Sequence, residues 1–143
     1  MKYFFSKFTA VAVLFAALAV NAQAQHDDHA EMVIFDFNTM EQRTTPGGVN
    51  IRPVLLDDVR LVQVTLSEGE TTTSHSHEFE QMVMVHSGQI KAFSGDDEFI
   101  LGPGQGFAAA SNVHHYYMAL EDSVTIEVIG PGAPNGGAPA PSE

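Results

Sequence analysis

The sequence predicts an all-β fold, and two observations carry that prediction. From residue 33 onward short runs of strand-forming residues alternate with turn signals, and no segment keeps a 3.6-residue apolar period. The close, regular spacing of the runs points to a single barrel or sandwich. Residues 32–37 form the first apolar run. The turn Thr45-Pro46-Gly47-Gly48 leads to runs at 49–56 and 60–66, split by Asp57-Asp58. Past Glu68-Gly69-Glu70, runs at 81–86 and 89–93 flank the turn Ser87-Gly88. Ser94-Gly95-Asp96-Asp97 is a hairpin signal before 98–101, and Gly102-Pro103-Gly104 precedes 106–110. Runs at 115–120 and 123–129 complete the set.

The two ends read differently. Met1-Lys2 and Lys7 are followed by an apolar run over 8–20 and by Ala22-Gln23-Ala24, the pattern of a signal peptide cut after Ala24. The apolar run is shorter than the ~20 residues a bilayer span needs. Residues 1–24 are therefore expected to be removed, leaving an exported protein, periplasmic or secreted, with no stable membrane anchor. The chain has no Cys, which excludes both a lipid-bearing cysteine and a disulfide. The expected domain spans 25–130, with His26-Asp27-Asp28-His29 in a solvated leader and 131–143 as a flexible Pro/Gly/Ala-rich tail. The chain carries 6 basic and 18 acidic residues. Cleavage would remove Lys2 and Lys7 and no acid, so nucleic acid and anionic membranes are poor partners and a small molecule is the expected one.

The chemistry concentrates between Gly69 and Gly88. Side chains at i and i+2 of a strand share a face, so His75 and His77 converge, and Gln81 has the same parity. Two imidazole nitrogens and an amide oxygen are neutral metal ligands, and a third His from a neighbouring strand would leave positions open. Parity turns His86 to the opposite face and leaves the choice between His114 and His115 open. In 124–129, Val124, Ile126 and Val128 share one face; alternation favours that face as the core, which puts Glu127 in solvent. Tyr116, Tyr117, Met82, Met84 and Met118 read as packing residues.

The stretch Gly69 to Gly88 resembles the first cupin motif, G-x5-H-x-H-x3-E-x6-G, with Gln81 at the usual Glu. Gly104 to His115 is similar, more loosely, to the second motif, with Ala110 and Asn112 at the usual Pro and Gly. The resemblance covers roughly residues 50–130 and implies a single-domain cupin, a double-stranded β-helix or jelly-roll barrel. It also implies one divalent transition metal (Zn, Ni, Fe or Mn) on His75, His77, Gln81 and His115, a cavity lined by Phe107 and Tyr117, and a homodimer paired through sheet faces. His75-Ser-His77-Glu-Phe-Glu80-Gln81, Asn112-Val113-His114-His115 and Ala119-Leu120-Glu121-Asp122-Ser123 resemble the KdgF group, which converts cyclic unsaturated monouronates to linear ketouronates. That implies an isomerase or lyase acting on a small sugar acid, with Glu127 as general base. The chain departs from the group at Ile129, where a Phe is usual, and at Ala133, where an Arg is usual. Arg52, Arg60 and Lys91 are replacement cations if folding turns them inward. These departures keep two other function classes in view, a non-catalytic small-ligand or metal-binding module and an Fe-dependent oxygenase.

Overall fold

The computed structural model describes residues 32–131. Residues 1–24, read from the sequence as a signal peptide, the His26–His29 stretch and residues 132–143 lie outside the described residues. Among the described residues of the unit that begins at Ile34, nine strands form: β1 (Arg43–Thr44), β2 (Asn50–Leu55), β3 (Arg60–Leu66), β4 (Gln81–Ser87), β5 (Ile90–Ser94), β6 (Asp97–Leu101), β7 (Gly106–Ala109), β8 (Tyr116–Ala119) and β9 (Ser123–Ile129). No described residue is helical, in keeping with the missing helical period. All strand pairs are antiparallel, in a six-stranded sheet ordered β1-β2-β3-β9-β4-β7 and a three-stranded sheet ordered β6-β5-β8. Bridges from Thr71 to Met118 and from His75 to His115 lay the segment before β4 along the open edge of β8. Val62, Val64, Leu66, Val83 and Val85 of the first sheet meet Ile90, Ala92, Tyr117 and Ala119 of the second. The result is the expected all-β jelly roll.

Alternation decides what faces that core. β3 turns Arg60, Val62, Val64 and Leu66 inward, and β4 turns Gln81, Val83 and Val85 inward. Met82 and Met84 are 61% and 47% exposed on the outer face, so they are not core packing residues as their hydrophobicity implied. β9 reverses the expectation for Glu127 from alternation. Ser123, Thr125 and Glu127 are the buried side chains, while Val124, Ile126 and Val128 cover the outer face. A polar inner row is tolerated because its members are hydrogen-bonded: the Tyr117 hydroxyl lies 2.9 Å from Thr125 Oγ1 and donates to Glu127 Oε1 at 2.6 Å. The apolar run 32–37 forms no strand. There Asp36 Oδ1 accepts the Asn38 N–H, and the Asp36 carbonyl accepts those of Thr39 and Met40, giving the backbone a local alternative to a ladder.

Two backbone positions set the loops beside the interior. Gly88, the last residue of the first motif, has φ 78°, and a Cβ there would collide with the Ser123 side chain and the Asp122 carbonyl. Asn112 has φ 62°, the left-handed region that Asn tolerates better than most side chains, which explains how it can stand where a Gly is usual.

Candidate metal centre

The four candidate ligands come from three pieces of chain. His75 and His115 face each other across an antiparallel backbone pair, His75 N–H to His115 carbonyl at 3.2 Å and the reverse at 2.9 Å. The chain then bends through residues 78–80. The Ser111 hydroxyl donates to the Glu78 carbonyl, and the Asn112 N–H donates to the His77 carbonyl, both at 2.7 Å. Gln81 opens β4 opposite Ile129 of β9, so Glu127, opposite Val83, is its diagonal neighbour on the same face. His86 and His114 are exposed, His114 within 3.4 Å of the Ser74 hydroxyl. The choice that parity left open falls on His115, which is 4% exposed.

One ligand nitrogen from each of His75, His77 and His115 lies within 4.8 Å of the other two. The ring centroids are 4.8 to 5.3 Å apart. Each outer nitrogen is held by a carbonyl: the Nδ1–H groups of His75, His77 and His115 donate to Thr73 (2.6 Å), Phe79 (2.6 Å) and Val113 (2.8 Å). A carbonyl can only accept, so Nδ1 carries the proton and Nε2 of a neutral ring keeps its lone pair. Yet His77 Nε2 sits 2.8 Å, and His115 Nε2 3.4 Å, from Gln81 Oε1. Lone pairs facing an amide oxygen at this distance repel unless a cation or an extra proton lies among them. The donor set therefore fits a divalent metal ion.

Electrostatics favours the ligand state of the rings. Burial lowers the pKa of His75 and His115, outweighing the hydrogen bonds to Thr73 and Val113, and the neighbouring imidazoles lower both further. Glu127 is raised to about 7 by burial, against the opposing hydrogen bonds from Tyr117 and Gln81. Burial and the adjacent Glu127 push the Tyr117 hydroxyl well above its ordinary value. Gln81 Nε2 donates to Glu127 Oε2 at 2.9 Å, so the carboxylate lies one hydrogen bond beyond the candidate ligand amide.

Of the two residues expected to line a cavity, Phe107 borders the one beside His115, while Tyr117, 2% exposed, packs in the core. The Phe107 ring lies edge-on to His115 at 5.9 Å and to Tyr117 at 6.2 Å. A cavity of about 250 Å³ opens beside His115, and Phe99, Phe107, Val113 and Asp97 are among its lining residues, none of which is Lys or Arg. Of the three replacement cations, β3 turns Arg60 inward, 8% exposed, in the row of Ile129 and Gln81, and it is engaged within the fold like the other two. Arg52 is taken up by the Met40 carbonyl and Gln63, and Lys91 pairs with Glu98 at 3.1 Å. Ala133 lies outside the described residues. Sequence reasoning missed Phe79, whose ring stacks on His77 at 3.9 Å and 11°. Its signal was an aromatic residue two positions past a ligand.

An all-β jelly roll with a histidine cluster inside its barrel defines a class: small double-stranded β-helix proteins with a candidate metal site in the interior. The chain has the small cupin fold, and residues 62–129 match the cupin domain family. It is similar to KdgF from Halomonas sp., at 26% identity and a TM-score of 0.65 over 69% of this chain and 94% of that one. An RmlC-like cupin from Shewanella frigidimarina shares the fold at 16% identity, TM-score 0.66, over 72% and 94% of the two chains. The DMSP lyase DddQ from Ruegeria pomeroyi does so at 17% identity, TM-score 0.61, over 73% and 62%. No curated protein matches by sequence.

Proposed function

We propose that this cupin is an exported domain that holds one divalent transition metal (Zn, Ni, Fe or Mn) on His75, His77, Gln81 and His115. On this reading it acts as an isomerase or lyase on a small sugar acid such as an unsaturated uronate. The observation that carries the metal is the 2.8 Å approach of His77 Nε2 to Gln81 Oε1 while His77 Nδ1 donates to Phe79. The reaction class is supported by the likeness to KdgF, and export by the signal pattern of residues 1–24.

A divalent ion in this site supplies a Lewis acid that polarises a carbonyl or hydroxyl oxygen. The chain's residues account for the remaining requirements. Glu127, with a pKa of about 7, can accept and return a proton near neutral pH. Tyr117 orients its carboxylate through the 2.6 Å hydrogen bond.

Elemental analysis of the chain from Gln25, beside a His75→Ala/His77→Ala variant, tests the metal. About one transition metal per wild-type chain and little in the variant is the expected result, and metal in neither overturns the site. A proton NMR time course with an unsaturated monouronate tests the reaction through loss of the ring form. A metal-loaded protein that leaves the ring form intact, yet melts higher with ligand, is a non-catalytic binding module. The cation-free lining of the cavity beside His115 favours that second reading.

A further inference from the structure

We propose that Glu127 is a positioning residue that fixes which end of the Gln81 amide faces the metal, carrying the negative charge that Gln81 lacks one hydrogen bond outward from the ligand shell. The inference rests on the proposed metal centre. An amide has a donor end and an acceptor end of nearly the same shape, so its orientation is set by what it meets. Gln81 is 6% exposed, with three neighbours at its tip: His77 Nε2 at 2.8 Å, His115 Nε2 at 3.4 Å and Glu127 Oε2 at 2.9 Å. Without Glu127, the two imidazole lone pairs would draw the NH2 end and turn the oxygen away from the metal position. A carboxylate on the other side holds the NH2 and leaves Oε1 pointing at the histidines.

Glu127 is itself held. Oε1 accepts from the Tyr117 hydroxyl at 2.6 Å, Tyr117 also meets Thr125 at 2.9 Å, and Glu127 is 8% exposed. The chain Thr125–Tyr117–Glu127–Gln81 thus runs from the barrel core to the ligand oxygen, and no buried side-chain polar atom among the described residues lacks a partner. The same geometry accounts for an amide at position 81. A carboxylate there would be set against that of Glu127 at the 2.9 Å now spanned by an N–H···O bond. Ligand and partner form a matched pair, one amide and one carboxylate, and the pair should work with its polarity reversed.

The test compares wild type with Glu127→Leu and with the exchange variant Gln81→Glu/Glu127→Gln. Zinc affinity is read by competition with a chromophoric chelator, and the melting temperature of each metal-free protein is read alongside. Glu127→Leu should weaken zinc binding by about 10- to 100-fold, the usual cost of losing a partner behind a metal ligand, and the metal-free melting temperature reports separately the cost of leaving Tyr117 and Gln81 without their acceptor. The exchange variant should recover most of that loss. In it the carboxylate introduced at position 81 accepts from the amide introduced at position 127, whose oxygen accepts from Tyr117. A merely structural role predicts zinc affinity that follows metal-free stability and does not recover in the exchange variant. Zinc affinity unchanged in Glu127→Leu, or an exchange variant as weak as Glu127→Leu, overturns the proposal. If wild type takes no zinc, the metal centre itself fails. The orienting bond is then read from the Gln81 side-chain amide protons by NMR: identical shifts in wild type and Glu127→Leu overturn it, and a wild-type downfield shift lost in the variant supports it.

Discussion

At the residue scale, Glu127 couples the site to pH with a sign opposite to that of most carboxylates. Its folded value, about 7, lies above the ordinary 4.5 because it is buried. Between those two values the folded state binds the extra proton, so the group's contribution to stability falls as pH rises and is fully unfavourable above about 7. His75 and His115 act in the other direction. Their lowered pKa values make folding less favourable as pH drops below 6.5. Subtraction isolates the carboxyl. In denaturant titrations of metal-free protein, the stability of wild type minus that of Glu127→Gln should fall by about 3 kcal/mol from pH 4.5 to 7.5. A flat difference would show that Glu127 is solvated. Much of this site was legible from residue types and spacing: His75, His77 and Gln81 by parity, and His115 once a family motif chose it over His114. The carbonyls of Thr73, Phe79 and Val113 were not legible, because backbone acceptors leave no mark on the sequence.

At the element scale, strands were readable where both faces told the same story. β3 and β9 fall at Arg60–Leu66 and Ser123–Ile129, the runs that alternation defined. The inward face of β9 was not readable, since Val124, Ile126 and Val128 form the more hydrophobic set yet line the outside. Alternation fixes that two faces exist; the inner hydrogen bonds to Tyr117 decide which one is buried. The loop between β7 and β8 carries a sharper prediction. Asn112, at φ 62°, donates its N–H to the His77 carbonyl and so ties that loop to the bend between the ligands. Asn112→Ala should cost about 1–2 kcal/mol and Asn112→Gly much less, measured by thermal melting, because only the Ala change meets the left-handed penalty. Equal melting temperatures for the two variants would remove backbone strain as the reason for Asn at this position.

At the scale of the whole barrel, the candidate ligands join its two sheets. His115 precedes β8 of the three-stranded sheet, Gln81 opens β4 of the six-stranded sheet, and His75 and His77 occupy the segment between. An ion bound there would tether the layers. At a thousandfold excess over Kd it should add about 4 kcal/mol to stability, lost on chelation and absent in His75→Ala/His77→Ala. Equal melting temperatures with and without chelator would contradict that linkage.

The strand order has one more consequence, in the time the chain takes to fold. β9 lies between β3 and β4, although it follows both in sequence. Until residues 123–129 are available, β3 and β4 each present an unpaired edge, and Gln81 has no carboxylate to turn it. Closure must wait for a contact between residues as distant as Arg60 and Ile129, a topology that predicts slow folding. A chain made from its N-terminus would therefore present His75 and His77 before His115 and β9 exist, and the last strand to arrive carries Glu127.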